Sequence, residues 1–193
     1  FNKIKKEQEA KIAAEKAGII KQYGITVIGE KQKAVQNIFE EKAKEKNSLL
    51  YFSEDYFILK NCRQKIVSGK LYFNCDVYLK NEKSVYMQNL LCELPGLYQE
   101  KNVKTSLAAI FLLDLLFSFE ISDSAIREGL MNVSSQTGLN GRWQVLSQKP
   151  LTIADTGHNE AGMKEVSSQI KKTPHKNLHI VFGTVNDKDV SGI

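Results

Sequence analysis

Apolar residues in the first fifty positions recur at helical spacing and then at strand spacing. Residues 3–17 carry alanines at near-helical intervals, and Gly18 is expected to end that helix. A short β-rich run follows at 25–30, a second amphipathic helix at 33–46, and another short strand at 48–52. This alternation of helix and strand predicts an α/β sheet.

The pattern changes from residue 55 to residue 91. Three runs rich in β-branched and aromatic residues follow one another here, separated by turn residues at 69–70 and 81–82. Alternating polarity within such runs predicts antiparallel strands. A long helix over 101–117 and a further helix capped by Ser122 are expected next.

A polar stretch with two glycines at 134–143 is the best linker candidate. Beyond it, residues 143–147 and 151–155 predict a strand pair, 159–171 a helix, and 177–183 a buried strand. We therefore predict two domains, 1–137 and 138–193. The second has too few strands to cover a sheet, so we expect the chain to be truncated at its C-terminus.

Composition narrows the class of protein. The 193 residues are 42% hydrophobic and 25% charged, as in globular domains. The longest apolar stretch, 106–119, is interrupted by Asp114 and predicts a buried helix rather than a membrane span, and the N-terminal residues lack a signal-peptide core. Three distant cysteines without a Cys-x-x-Cys pair indicate a reducing compartment. We expect a cytoplasmic protein, and a monomer.

The net charge of +5 suits an anionic ligand, although the lysines are interleaved with glutamates, which disfavours nucleic-acid binding. The sequence has no Walker P-loop, no Gly-x-Ser-x-Gly and no His-Glu-x-x-His motif. A self-contained hydrolase or zinc enzyme therefore finds no support.

Five side chains in four stretches could contact a ligand, each with a simpler alternative. Lys16 could merely complement a helix dipole, Asn102 could cap a helix, and Arg142 could be a solvated linker residue. Asp155 and His158 lie between a strand end and a helix start, where open α/β sheets bind ligands and helix N-termini favour anions.

The order and spacing of these stretches resemble the folylpolyglutamate synthase/dihydrofolate synthase family of the Mur ligase superfamily. The matching segments are IAAEKAGIIK (12–21), LPGLYQEKN (94–102), GRWQVL with IADTGHN (141–159), and VFGTVNDKD (181–189). The resemblance implies the later part of a central ATPase domain, with a mixed sheet that includes antiparallel strands, and the start of a Rossmann-like C-terminal domain. The P-loop would then lie upstream, and this chain alone would be inactive.

The resemblance also implies an ADP-forming ligase that uses ATP and Mg²⁺, with K⁺ or a second Mg²⁺ as a possible addition, to join L-glutamate to folate or dihydropteroate through an acyl phosphate. On that reading Lys16 is carbamylated and holds the metal, because magnesium prefers oxygen ligands. Asn102 contacts the nucleotide, Arg142 the ATP phosphates, and Asp155 the ribose and phosphate. His158 touches phosphate or orients Asp155.

Two departures keep alternatives open. The family pattern Asp-x-Ala-His-Asn-Pro is here Asp155-Thr-Gly-His-Asn-Glu160, and the family's metal-binding histidine upstream of Lys16 is absent. A Mur-type cell-wall peptide ligase and a non-catalytic nucleotide-binding domain are therefore the rival functions. Because Arg142 lies past the linker, domain closure about residues 137–141 is expected to gate catalysis.

Overall fold

The computed structural model describes residues 2–82 and 84–183. Six α-helices and seven strands are found within them. In chain order they are α1 (Asn2–Ala17), β1 (Ile25–Ile28), α2 (Gln36–Glu45), β2 (Leu49–Phe52), β3 (Phe57–Val67), β4 (Lys70–Leu79), β5 (Val85–Cys92), α3 (Gln99–Phe117), α4 (Asp123–Met131), α5 (Val133–Thr137), β6 (Gln144–Gln148), β7 (Leu151–Ala154) and α6 (Glu160–Lys172).

The described residues divide into two compact units. The first comprises residues 2–60, 76–88 and 100–122, and the second comprises 61–75, 89–99 and 123–183. The boundary predicted at 137/138 is not tested by this division and stays a prediction.

In the first unit, β1 and β2 pair in parallel, with Ile25 opposite Leu49. A parallel connection requires a crossover, and α2 supplies it. Ala17 at the end of α1 and Ile20 just beyond it pack against Ala43 of α2, and Leu50 of β2 packs against this buried cluster. The predicted α/β alternation of this region is confirmed.

Strands β3, β4 and β5 form one sheet in that order. Ser68 and Gly69 join β3 to β4 with positive φ angles of 48° and 79°. Two left-handed residues form the type I′ turn that joins antiparallel neighbours. The predicted antiparallel strands are therefore confirmed. In the second unit Phe73 and Leu90, from β4 and β5, are 0% and 1% exposed, and each such burial is worth roughly 1.5–3 kcal/mol.

The C-terminal part of the chain matches its prediction only partly. Strands β6 and β7 pair antiparallel, and α6 follows where a helix is expected. The predicted linker at 134–143, however, begins inside helix α5, which Gly138 ends in a left-handed conformation. The buried strand predicted at 177–183 is wrong: these residues form no strand and are exposed. A strand needs a hydrogen-bonded neighbour, and none of the described residues provides one.

Of the helices that the structure describes, none combines the length and apolar character that crossing a bilayer demands.

Candidate functional site

Arg142 lies between two residues with left-handed backbone. Gly141 has φ 71° and Trp143 has φ 54°. For a bulky residue such as tryptophan this conformation is strained by roughly 1–3 kcal/mol, so the surroundings must hold it. The Thr156 N–H and hydroxyl both donate to the Gly141 carbonyl, at 2.9 and 3.0 Å. Trp143, the next residue along the chain, is 3% exposed, and its burial restrains the backbone on the other side of Arg142.

The Arg142 guanidinium is itself oriented. Its Nη1 donates to the Thr156 hydroxyl oxygen and lies 3.4 Å from the Gly141 carbonyl oxygen. Within the described residues both hydrogen bonds of the guanidinium come from Nη1, which leaves Nε–H and Nη2–H for a ligand. Two adjacent N–H donors match the geometry of a phosphate or carboxylate.

Asp155, at the end of β7, accepts three hydrogen bonds. Its Oδ2 receives the Tyr98 hydroxyl at 2.5 Å and the Trp143 backbone N–H at 2.8 Å. Its Oδ1 receives the Gly157 N–H at 2.8 Å. Burial, and next the hydrogen bond to Asp155, raise the pKa of Tyr98, so the phenol is a neutral donor. A carboxylate has about four acceptor positions, so Oδ1 retains one for a ligand.

His158 is exposed in the loop between β7 and α6. Its Nδ1 lies 3.1 Å from the Thr156 carbonyl oxygen. A carbonyl only accepts, so Nδ1 must carry the proton in this bond. His158 thus lies two residues beyond the threonine that contacts Arg142.

Helix α6 begins directly after this loop. The Asn159 side chain caps it by accepting the Gly162 N–H at 2.7 Å, and Glu160 occupies its first turn. An acidic residue there complements the helix dipole, so the helix starts well without a proline. The glycine at 157 also has a structural reason, because a Cβ there would lie 3.1 Å from Val166 and 3.2 Å from Asp155 Oδ1.

Lys16 and Asn102 belong to the first unit and lie toward opposite ends of its strand pair. Lys16 is exposed in the last turn of α1, next to Ala17, which packs on the end of α2 that leads into β2. Asn102 is exposed in the first turn of α3. That turn meets the carboxyl end of β1, where Lys101 pairs with Glu30 at 3.1 Å. The roles predicted for Lys16 and Asn102 stay predictions.

Sequence reasoning missed a buried carboxylate in the second unit. Glu93 accepts the Ser134 N–H at 2.7 Å and pairs with Lys70, and its side chain is 6% exposed. The hydrogen bond that the Lys70 ammonium donates to Glu93 raises the pKa of Lys70. Glu93, Lys70 and Arg142 line one open cleft of about 770 Å³. Glu93 precedes the LPGLYQEKN segment directly, and that position is the only sequence signal for it.

Tyr98 and Thr156 were also missed as functional residues, although both lie inside segments that carry the family resemblance. Within residues 2–82 and 84–183, no three His, Cys, Asp or Glu side chains come together to hold a metal ion. The segment VFGTVNDKD lies outside the described residues beyond Gly183.

The fold is that of the folylpolyglutamate synthases. The chain superimposes on the folylpolyglutamate synthase of Thermotoga maritima with a TM-score of 0.63 and 25% identity, covering 84% of this chain and 35% of that one. A Mycobacterium tuberculosis folylpolyglutamate synthase, solved with ADP and AMPPCP, gives a TM-score of 0.63 at 22% identity and covers 84% and 34%.

The sequence comparisons agree with the structural ones. The chain is 28% identical to the dihydrofolate synthase/folylpolyglutamate synthase of Escherichia coli over 183 residues, which is 94% of this chain and 37% of that protein. It is 31% identical to the protein of the same name from Buchnera aphidicola (subsp. Acyrthosiphon pisum) over 186 residues, or 94% and 38%. No family model matches. The predicted resemblance to folylpolyglutamate synthase/dihydrofolate synthase is confirmed.

The relatives are longer than this chain, and half of the chain also resembles a ligase of another class. The chain spans less than two fifths of the length of these two relatives. Half of it is also 31% identical, over 99 residues, to the UDP-N-acetylmuramoyl-L-alanyl-D-glutamate–2,6-diaminopimelate ligase of Wolinella succinogenes, of which it covers 20%.

Proposed function

We propose that the full-length protein carrying this chain is an ADP-forming ligase that joins L-glutamate to folate or dihydropteroate at the expense of ATP. The observation that carries the proposal is the oriented guanidinium of Arg142 beside the loop that holds Asp155 and His158. It occurs in a chain whose similarity to two dihydrofolate synthase/folylpolyglutamate synthases extends over 94% of its length.

The donors present fit a nucleotide. ATP would supply the phosphoryl group that turns the substrate carboxylate into an acyl phosphate with a good leaving group. Arg142 would bind phosphate oxygens through Nε–H and Nη2–H while Thr156 holds Nη1, so the cation would be in place before charge develops. The remaining acceptor position of Asp155 suits a ribose hydroxyl. His158 would donate from Nε2 to a phosphate oxygen only as the imidazolium, because Nδ1 already donates to the Thr156 carbonyl.

The described residues fit a magnesium ion less well than they fit a nucleotide. The described residues bring together no set of carboxylates and imidazoles that could hold Mg²⁺. An uncharged or cationic lysine is no ligand for magnesium, whereas a carbamate on Lys16 would supply an oxygen. Carbamylation of Lys16 and nucleotide contact by Asn102 are therefore part of the proposal.

The direct test is phosphate release by the full-length protein with ATP, glutamate and either tetrahydrofolate or dihydropteroate. Arg142→Ala should reduce kcat/KM by about 100-fold or more, the usual loss for one charge-stabilising donor. Arg63→Ala removes an exposed arginine of β3 in the same unit and should change little. Equal activity of the Arg142→Ala and wild-type proteins would refute the assigned role.

A cell-wall peptide ligase is the second candidate, favoured by the similarity of half the chain to the Wolinella succinogenes enzyme. The same assay with a UDP-linked muramoyl peptide in place of the pteridine separates the two. Release only with the muramoyl peptide would assign the protein to that class. Nucleotide binding without release on any substrate would favour the non-catalytic reading.

The gating hypothesis has its own test. Gly138 and Gly141 both have φ 71°, which proline cannot adopt. If residues 137–141 are the hinge, proline at these positions should lower turnover. Unchanged kinetics in both variants would count against the hinge.

A further inference from the structure

Tyr98 is fixed in the turn that precedes α3. The ring lies against Gly96, where a Cβ would come within 2.7 Å of two ring carbons. The next residue back, Leu97, donates its N–H at 2.9 Å to Oε1 of Gln169, a side chain of α6 that is 3% exposed. The turn is therefore held from both sides, and the Tyr98 hydroxyl has a defined position.

That hydroxyl reaches the one carboxylate oxygen that also holds Trp143. Asp155 Oδ2 accepts Tyr98 at 2.5 Å and the Trp143 N–H at 2.8 Å. The second bond anchors a tryptophan whose left-handed backbone, φ 54°, is unfavourable on its own. A carboxylate that loses one donor on Oδ2 can rotate, so the Tyr98 bond fixes the oxygen on which the Trp143 backbone depends.

Arg142 precedes Trp143 directly, so the direction in which its side chain leaves the backbone depends on the same oxygen. The Asp155 neighbour on the other side, Thr156, holds the Gly141 carbonyl and the guanidinium. A rotation of the Asp155 side chain would therefore loosen the segment 141–143 at one end while Thr156 still holds the other.

We propose that Tyr98 is a positioning residue for Arg142, acting through Asp155 and the Trp143 backbone. The inference rests on the proposed function for the identity of the ligand, a nucleotide polyphosphate. Tyr98 does not touch that ligand; it keeps the guanidinium aimed at the phosphate.

The test uses the full-length protein, with ADP and AMP binding measured by calorimetry and amide hydrogen exchange followed at Trp143. Tyr98→Phe removes only the hydroxyl and should weaken ADP binding about tenfold, AMP binding less, and speed exchange at Trp143. Arg142→Ala should weaken ADP binding at least as much. If Tyr98 acts through Arg142, adding Tyr98→Phe to Arg142→Ala should cost no further affinity.

Tyr72→Phe is the matched control, because Tyr72 is a buried tyrosine of the same unit, 9% exposed, and is not among the donors to Asp155. It should leave ADP binding and Trp143 exchange unchanged. A Tyr98→Phe protein with wild-type affinity, or a double variant that loses a further tenfold, would overturn the inference. A wild-type protein that binds no ADP would instead overturn the proposed function, and accelerated Trp143 exchange in Tyr98→Phe would still support the positioning network.

Discussion

Gly141 is held by two constraints, a left-handed backbone and close contact with Thr156, and alanine substitution can separate them. Gly138 and Gly141 share the same backbone angle, φ 71°. A Cβ on Gly141 would lie 2.4 Å from the Thr156 methyl carbon, whereas a Cβ on Gly138 would meet nothing within 4 Å. The two alanine variants therefore carry the same conformational cost and differ in the steric one.

The magnitudes follow from that difference. Left-handed backbone costs an L-residue roughly 1–2 kcal/mol, and overpacking a tight site adds about 1–3 kcal/mol. We expect Gly138→Ala to lower the free energy of unfolding by roughly 1 kcal/mol and Gly141→Ala by about 2–4 kcal/mol. Because Thr156 must move, hydrogen exchange at its amide, which donates to the Gly141 carbonyl at 2.9 Å, should also accelerate.

The assay is urea unfolding of the full-length variants together with exchange at Thr156. A second substitution sharpens it: Thr156→Ser removes the methyl group and keeps the hydroxyl that contacts Arg142. Gly141→Ala combined with Thr156→Ser should recover the steric part, leaving a loss close to that of Gly138→Ala. Equal losses for the two single variants, or no recovery in the double variant, would refute the reasoning.

Three other predictions concern stability. Asn159→Ala removes the cap of α6 that accepts the Gly162 N–H and should cost about 1 kcal/mol, measured as faster exchange in the first turn of the helix. Glu93→Gln replaces the charged acceptor of the Ser134 N–H by a neutral one and should lower the free energy of unfolding by about 2 kcal/mol. A loss below about 0.5 kcal/mol would contradict a stabilising role for Glu93. Burial, and then its bond to Asp155, raise the pKa of Tyr98 above the value near 10 of an unfolded tyrosine. The Tyr98 hydroxyl therefore contributes fully to the free energy of unfolding below about pH 10, and this contribution is lost as the pH rises further. The difference in unfolding free energy between wild type and Tyr98→Phe should shrink above that pH. A difference independent of pH would contradict this.

The elements were predictable where local pattern and tertiary pairing agree. Strands β3 to β5 alternate in polarity and are separated by turn residues, so their sheet follows from the sequence. The strand expected at 177–183 fails because its apolar run has no pairing partner among the described residues. Helix α5, inside the predicted linker, is only five residues long, too short for periodicity to indicate it.

The site was predictable as a set of residues and not as an arrangement. Arg142, Asp155 and His158 were named from their segments, and the structure brings Arg142 and Asp155 together through Trp143 and Thr156. The contribution of Tyr98 depends on a bond across 57 positions of sequence. The left-handed backbone of Trp143 has no local signal either, because tryptophan does not favour it.

The three bonds to Asp155 change what its substitution can mean. A nucleotide contact was predicted for this side chain, yet both of its oxygens already hold the protein, through Tyr98, Trp143 and Gly157. An asparagine there offers one acceptor oxygen in place of two, so one backbone N–H would face an amide N–H. Activity lost on Asp155→Asn would therefore follow from a displaced Arg142 even if Asp155 never touched a ribose. Tyr98→Phe removes one of the three bonds and leaves the two from backbone N–H groups. Compared in the wild-type and Arg142→Ala backgrounds, it separates aiming the guanidinium from contacting the ligand.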